Sequence, residues 1–368
     1  MKKTFMIVVA LMIILSGAVC SASEYLIEAS GDYIMDSRLD ETPASATARA
    51  REEAKRAAVE KAGVYLESYS RTINLELDTD EVRTVAARLL KIQDESRKVD
   101  TVGENLIRFT VTIKALVDDI DENVLKNMMQ DRQRFEELVA RNKELQERYD
   151  ALNREMENYR RNFDGANDAQ RNEIRREVAR NTERFSAVGE FAKGNDFAFR
   201  KDFMRALTAY DKALELDSQF AEAYNNRGTV KYELGQFSAA VEDYNSALRL
   251  KPNYAEALNN RGNAYASLEQ FQSAANDLQA ALRLDDSSAA AHNNLGSVYL
   301  SQKNFNAAVE EYTRAIQLNP NYAEAYYNRA VAYYAQGNSE KAVPDLQRAL
   351  ALKPGDADIR ALYEKLGR

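Results

Sequence analysis

A 34-residue echo in the C-terminal half constrains this chain more than any other feature. Gly228, Gly262, Gly296 and Ala330 stand 34 residues apart, and Ala240, Ala274, Ala308 and Ala342 keep the same step. A third ladder, Ala247, Ala281, Ala315 and Ala349, runs in register with them. A period of this length belongs to stacked supersecondary units, each too small to bury its own apolar face. Such arrays serve as binding surfaces far more often than as catalysts, so the period bears on function as well as on fold.

One unit, AEAYNNRGTVKYELGQFSAAVEDYNSALRLKPN from Ala221 to Asn253, shows how the echo folds. Tyr224, Gly228 and Tyr232 sit at helical spacing, and Leu234-Gly235 offers a stop. Phe237, Ala240, Val241, Tyr244, Ala247 and Leu248 then mark a second helix. Pro252 ends it, because proline cannot continue a helix and biases Lys251 away from helical dihedrals. Gly228 and Ala240 let the two helices approach, and Ala247 leaves room for the next unit.

These residues resemble the tetratricopeptide repeat, whose pattern sets an aromatic, Leu-Gly, an aromatic, Ala, an aromatic, Ala and Pro at fixed offsets. Four units match, at 220–253, 254–287, 288–321 and 322–355. The span 186–219 is a degenerate fifth that keeps Gly194, Phe203, Ala206, Tyr210 and Ala213 but has Ser218 where the proline would fall. Residues 356–368 read as a terminal capping helix. The resemblance implies an all-α right-handed superhelix over 186–355. Several positions depart from the pattern. Arg227, Arg261 and Arg329 replace the usual leucine, kept only as Leu295, and are expected to tether helices. Asp286 replaces a proline and should loosen one junction, while Pro344 should kink the last second helix.

The N-terminal end has a different logic. Lys2 and Lys3 precede an apolar run from Phe5 to Leu15, and Cys20-Ser21-Ala22 is a small-residue cleavage pattern. Residues 1–22 therefore read as a cleaved secretory signal, with Ser23 as the new terminus. An uncleaved anchor and lipidation of Cys20 are the alternatives, the latter disfavoured by Val19. No later stretch has the ~20 apolar residues that span a bilayer, so a soluble, exported and periplasmic protein is expected. The net charge is −8 and Cys20 is the only cysteine. An acidic balance argues against nucleic acid, which requires a basic stripe, and loss of Cys20 would leave neither disulfide nor thiolate metal site.

Residues 23–117 look α/β. Tyr25 to Met35 reads as a strand, and Ala46, Ala50, Ala54, Ala58 and Ala62 form a small-residue stripe suited to lying flat on a sheet. Asp78 and Glu81 suggest a capping box opening a helix through Leu90. The best strand runs from Asn105 to Val117, where Ile107, Phe109, Val111, Ile113 and Ala115 alternate with polar residues. An alanine-rich helix followed by FTVTIKA is loosely similar to small exported domains of envelope lipoproteins and flagellar-assembly factors.

Residues 118–185 form a long helical segment. Phe135, Asn142, Tyr149, Met156 and Phe163 recur every seven residues, with Leu138, Leu145, Leu152 and Tyr159 as the second seam. Two uses are open: a coiled coil joining two copies through 118–163, or a helical hairpin turning at Asp164-Gly165, with Ile174, Val178, Phe185 and Val188 on the return. Arg160, Arg161, Arg171, Arg175 and Arg176 read as a solvated face, or as a dock for an acidic partner.

No catalytic, cofactor-binding or metal-binding residue is expected. His292, the only histidine, occupies the packing place of Tyr224 and Tyr326. Asp118, Asp119 and Asp121 read as caps for the following helix, and no phosphate loop or nucleophile elbow occurs. The candidate site is instead a partner-binding stripe: Asn225, Asn226, Thr229, Tyr232, Asn259, Asn260, Asn263, Asn293, Asn294, Tyr327, Asn328 and Tyr334. In the tetratricopeptide family this stripe lines the concave groove, where amides can meet an extended peptide backbone as both donor and acceptor. The alternative is that the asparagines tie adjacent helices together. The basic pairs with which some family members clamp a terminal carboxylate are missing. The expected partner is a protein or peptide segment. The expected function is an exported, non-catalytic scaffold in an envelope assembly or transport process, against a structural oligomer built by the coiled coil and N-terminal domain.

Overall fold

The computed structural model describes residues 25–72, 77–117 and 132–366. The expected signal, the acidic group at 118–121 and the start of the heptad region lie outside these residues. The chain divides into two compact units, residues 1–182 and 183–368.

In the first unit, strands β1 (Tyr25–Asp36), β2 (Leu90–Thr101) and β3 (Leu106–Val117) form an antiparallel sheet ordered β1-β3-β2. Helix α1 (Pro43–Thr72) covers one face. Its alanine stripe explains how closely: Ala46, Ala50, Ala54, Ala58 and Ala62 are fully buried. Opposite them, a Cβ on Gly31 would lie 2.2 Å from the Ala54 nitrogen and 2.3 Å from the Ala50 oxygen, so only glycine fits beneath the helix. Helix α2 (Thr79–Leu89) opens with the expected capping box, Asp78 accepting from the Glu81 amide while Glu81 accepts from the Asp78 amide. Strand β2 is a finding that the sequence does not signal. LKIQDESRKVDT is charged on both faces, because it is an edge strand that is exposed almost throughout.

Helices α3 (Arg132–Phe163) and α4 (Asp168–Phe199) are separated by a short turn at 164–167. Of the two uses of the heptad, the described residues contain the hairpin. Met156, Phe163 and Val178 form one buried cluster with Leu39 of the sheet domain, and the Asn181 side chain donates to the Leu152 carbonyl at 3.1 Å. Tyr149 and Leu152 of the seam are also buried. The arginine group is not simply a solvated face. Arg160 reaches buried Glu41 at 3.4 Å, and Arg175 donates to the Arg38 carbonyl at 3.0 Å. Arg161 and Arg176 do stay on the surface, paired with Asn158 and Glu173.

The second unit is a series of helix pairs. Helix α5 (Phe203–Leu216) packs on the end of α4, where Gly194 accommodates the ring of Tyr210. The pairs α6 (Ala221–Glu233) with α7 (Phe237–Leu250), α8 (Ala255–Ser267) with α9 (Phe271–Leu284), α10 (Ala289–Ser301) with α11 (Phe305–Leu318), and α12 (Ala323–Ala335) with α13 (Ser339–Leu352) follow. Helix α14 (Ala357–Leu366) buries Ile359 against Ala330, Leu346 and Ala349, closing the apolar end. Helix α13 is continuous through Pro344. A Cβ at Gly228 or Gly296 would approach the rings of Tyr244 or Tyr312 to 2.8 and 2.7 Å. Leu278 and Leu346 take the tyrosine's place in the other two repeats; a Cβ at Gly262 would still come within 2.8 Å of Leu278, whereas Ala330 packs in one buried cluster with Leu346.

Candidate binding surface

Asparagine pairs lie on the first helix of three repeats and Asn328 alone on that of the fourth, and the structure strings them together. Asn260 donates to the Asn225 side-chain oxygen at 3.1 Å, Asn294 to Asn259 at 3.0 Å and Asn328 to Asn293 at 3.0 Å. Within a repeat, Asn225 donates to Asn226 and Asn259 to Asn260. The amides therefore do tie adjacent helices. Each side-chain amide offers two donor hydrogens and two lone pairs, and the ladder consumes only part of that capacity. Exposure divides the stripe further. Asn225, Asn226 and Asn293 are buried, while Asn259, Asn260, Asn263, Asn294 and Asn328 are half-buried. Both groups take part in the inter-repeat bonds, and the second also presents amide edges at the surface.

Asn195 anchors the near end of the ladder, accepting from Asn226 at 2.9 Å and from the Tyr210 hydroxyl at 2.8 Å. It stands one 34-residue step before Thr229, with Asn263 and Ser297 at the following steps, so the period does point to it once the degenerate first repeat is included. Glu256 accepts from Asn225 at 3.1 Å. Thr229 donates to the Asn225 carbonyl, and the Tyr232 hydroxyl meets Ser267. Tyr334 is exposed, with the Lys365 ammonium 5.0 Å from its ring centroid.

Asn293, Tyr327 and Asn328 come together in a cavity of about 380 Å³ beside the capping helix. Its wall also carries Glu324 paired with Lys353, and Asp356 and Asp358 from the start of α14. Burial, reinforced by Asp358 and Asp356, pushes the Tyr327 hydroxyl above its ordinary pKa, so it is a neutral donor there.

Behind this surface the three arginines act as tethers. Arg227 holds buried Asp243 in a bidentate pair at 2.8 and 2.6 Å; Arg261 holds Asp277 and Arg329 holds Asp345 in the same way. Their partners recur 16 residues downstream, a spacing visible in the sequence once the helix pair is drawn. In the third repeat Leu295 has no such role. There His292, in the packing place expected for it, sits 2.7 Å from Glu311. Among the described residues no histidine, cysteine, aspartate or glutamate group could hold a metal ion, and no helix is long and apolar enough to cross a membrane.

Stacked helix pairs with a shared small-residue seam and a polar first-helix face define a tetratricopeptide-repeat array, a fold typical of non-catalytic interaction scaffolds. The TPR repeat profile matches residues 194–235, 228–269, 262–303 and 296–337, and the tetratricopeptide repeat profile matches 323–356. Among solved structures, YrrB, described as a TPR protein with an unusual peptide-binding site, is 28% identical over 49% of this chain and 92% of its own, with a TM-score of 0.41. MamA is 29% identical over 45% and 96%, with a TM-score of 0.40. PilW, a type IV pilus biogenesis factor, is 21% identical over 49% and 84%, with a TM-score of 0.47. No curated protein matches the chain.

Proposed function

We propose that this protein is an exported, non-catalytic scaffold that holds a segment of a partner protein along the first-helix face of its repeats, in support of a cell-envelope assembly or transport process. The observation that carries the proposal is the partly spent asparagine ladder, whose half-buried members run toward the cavity at Tyr327. The ladder places one amide–amide bond at each of three junctions; the amide edges left over suit the backbone of an extended segment of any sequence. The apolar ring of Tyr334 and the polar cavity supply side-chain contacts. The N-terminal leader motivates export, and the amphipathic repeats motivate a protein partner.

Photo-reactive residues introduced in living cells at Asn263 and Tyr334 test this, with Glu242 and Glu310 on second helices as controls. The expected result is one dominant captured protein from the first pair only, on a chain whose own N-terminus is Ser23. Equal or preferential capture from the second helices would overturn the groove assignment, and a retained leader would overturn cleavage.

A further inference from the structure

The outer edge of β2 is open: among the described residues its hydrogen-bonded neighbour is β3 alone. We infer that this edge pairs with the same edge of a second copy of the chain, in an antiparallel, two-fold arrangement centred on Ser96. The occupant follows from the order of charges along the strand. With Ser96 opposite Ser96, Glu95 faces Arg97 of the second copy and Asp94 faces Lys98. The two-fold axis repeats both pairs, so four unlike contacts form. Partners in an antiparallel pair must point to the same face, and these do. Glu95 and Arg97 lie opposite Ile113 and Val111 on the α1 face, while Asp94 and Lys98 lie opposite Lys114 and Thr110 on the open face.

Register is specified as well. Sliding the copies two residues either way sets Glu95 against Glu95, or Arg97 against Arg97, and like charges directly opposite one another are unfavourable. Beyond the charged centre the count sets Val99 opposite Gln93, but the bulge between Ile92 and Asp94 leaves Gln93 out of the ladder, so Ile92 of the second copy takes that place. Val99 and Ile92 point to the α1 face, and both are exposed for large aliphatic residues, at 57% and 43%. A facing strand covers them.

Charged edges often serve to prevent pairing, and β1 shows what that looks like. It carries Glu28, Asp32 and Asp36 without a basic residue, so two β1 edges repel. On β2 the signs alternate in an order complementary to itself. In one copy Arg97 rests on Glu95 and Lys98 on Asp100, each at 2.8 Å along the same strand. Pairing turns these into cross-strand contacts, and Glu95 keeps its bidentate hold on Arg51. The pairing is independent of whatever the repeats bind.

Sedimentation equilibrium of the full mature chain tests the inference, using Asp94→Lys and Lys98→Asp, two open-face variants distant from α1. The wild-type chain should dimerise. Each variant alone places like charges opposite one another and should raise the dimer Kd by at least about tenfold. An equimolar mixture of the two restores opposite charges in a heterodimer and should recover wild-type association. A monomeric wild-type chain at ~100 µM would overturn it. So would variants as dimeric as wild type, which would place any dimer elsewhere, or a mixture that fails to recover.

Discussion

At the scale of the residue, the repeats repeat their polar ties as faithfully as their apolar contacts. Asp243 has a side chain only 5% exposed and is held by Arg227 and by Lys231 at 2.7 Å. Burial opposes the Arg227 charge, and Asp243 with Asp211 overcomes it, holding the guanidinium above its ordinary pKa. Removing Arg227 leaves buried Asp243 with Lys231 alone, whereas removing both members of the pair need cost little. Arg227→Ala should therefore destabilise the protein by roughly 2–4 kcal/mol in urea unfolding, while Arg227→Leu with Asp243→Leu should stay within about 1 kcal/mol of wild type. The third repeat, with Leu295 at this position, already shows that leucine fits. A single variant as stable as the double would mean that the pair does not tie the helices. The arginines are legible in the sequence as tethers because they depart from an apolar pattern. The asparagines are legible in identity and step only. Whether an amide faces its neighbour or an open surface depends on the rotation between successive repeats, which no local pattern encodes.

At the scale of the element, the turn inside each repeat shows where local chemistry informs and where it misleads. Lys201, Gly235, Glu269, Lys303 and Gly337 stand at equivalent turns, with φ of 60°, 74°, 59°, 61° and 76°. Gly235 and Gly337 announce the left-handed conformation; Lys201, Glu269 and Lys303 adopt it without announcing it, and only the period exposes them. Residues with a Cβ are strained there, by about 1–2 kcal/mol, partly offset when glycine gains entropy in the unfolded chain. Glu269→Gly and Lys303→Gly should each raise stability by about 0.5 kcal/mol, and Gly235→Ala should lower it by about 1 kcal/mol. Thermal unfolding of the three variants checks the order; a destabilising Glu269→Gly would mean that its side chain contributes more than the strain removes. Strand β2 failed to show itself for a different reason. The alternation that marks β3 comes from one buried face, and an edge strand exposed on both sides has no such contrast.

At the scale of the whole molecule, the change in composition at 118 marks the end of the sheet without marking the end of its compact unit. The hairpin's seam is covered by Tyr33 and Leu39 of the sheet domain, and a heptad pattern cannot say whether its cover comes from another copy or from elsewhere in the same chain. The polar side of that junction is Arg49 of α1. Its side chain is 1% exposed, and it donates to Asn153 of α3 at 2.7 Å and to Asn181 of α4 at 2.6 Å, with Glu41 3.9 Å away. Burial pushes the Glu41 carboxyl above its ordinary pKa and the Arg49 guanidinium below its own, so this is an expensive cluster whose return is position. One cation registers both arms of the hairpin on the helix that covers the sheet. Arg49→Met keeps the length of the side chain and removes the donors, leaving half-buried Asn153 and buried Asn181 and Glu41 beside a thioether. That change should cost about 3–5 kcal/mol. Hydrogen exchange should show lost protection over 149–163 and 174–182, while the β1–β3 amides hold theirs. If the sheet and hairpin instead lose protection equally, the hairpin is an obligatory part of the sheet domain's core; if neither changes, the apolar cluster at Met156, Phe163 and Val178 sets the junction alone.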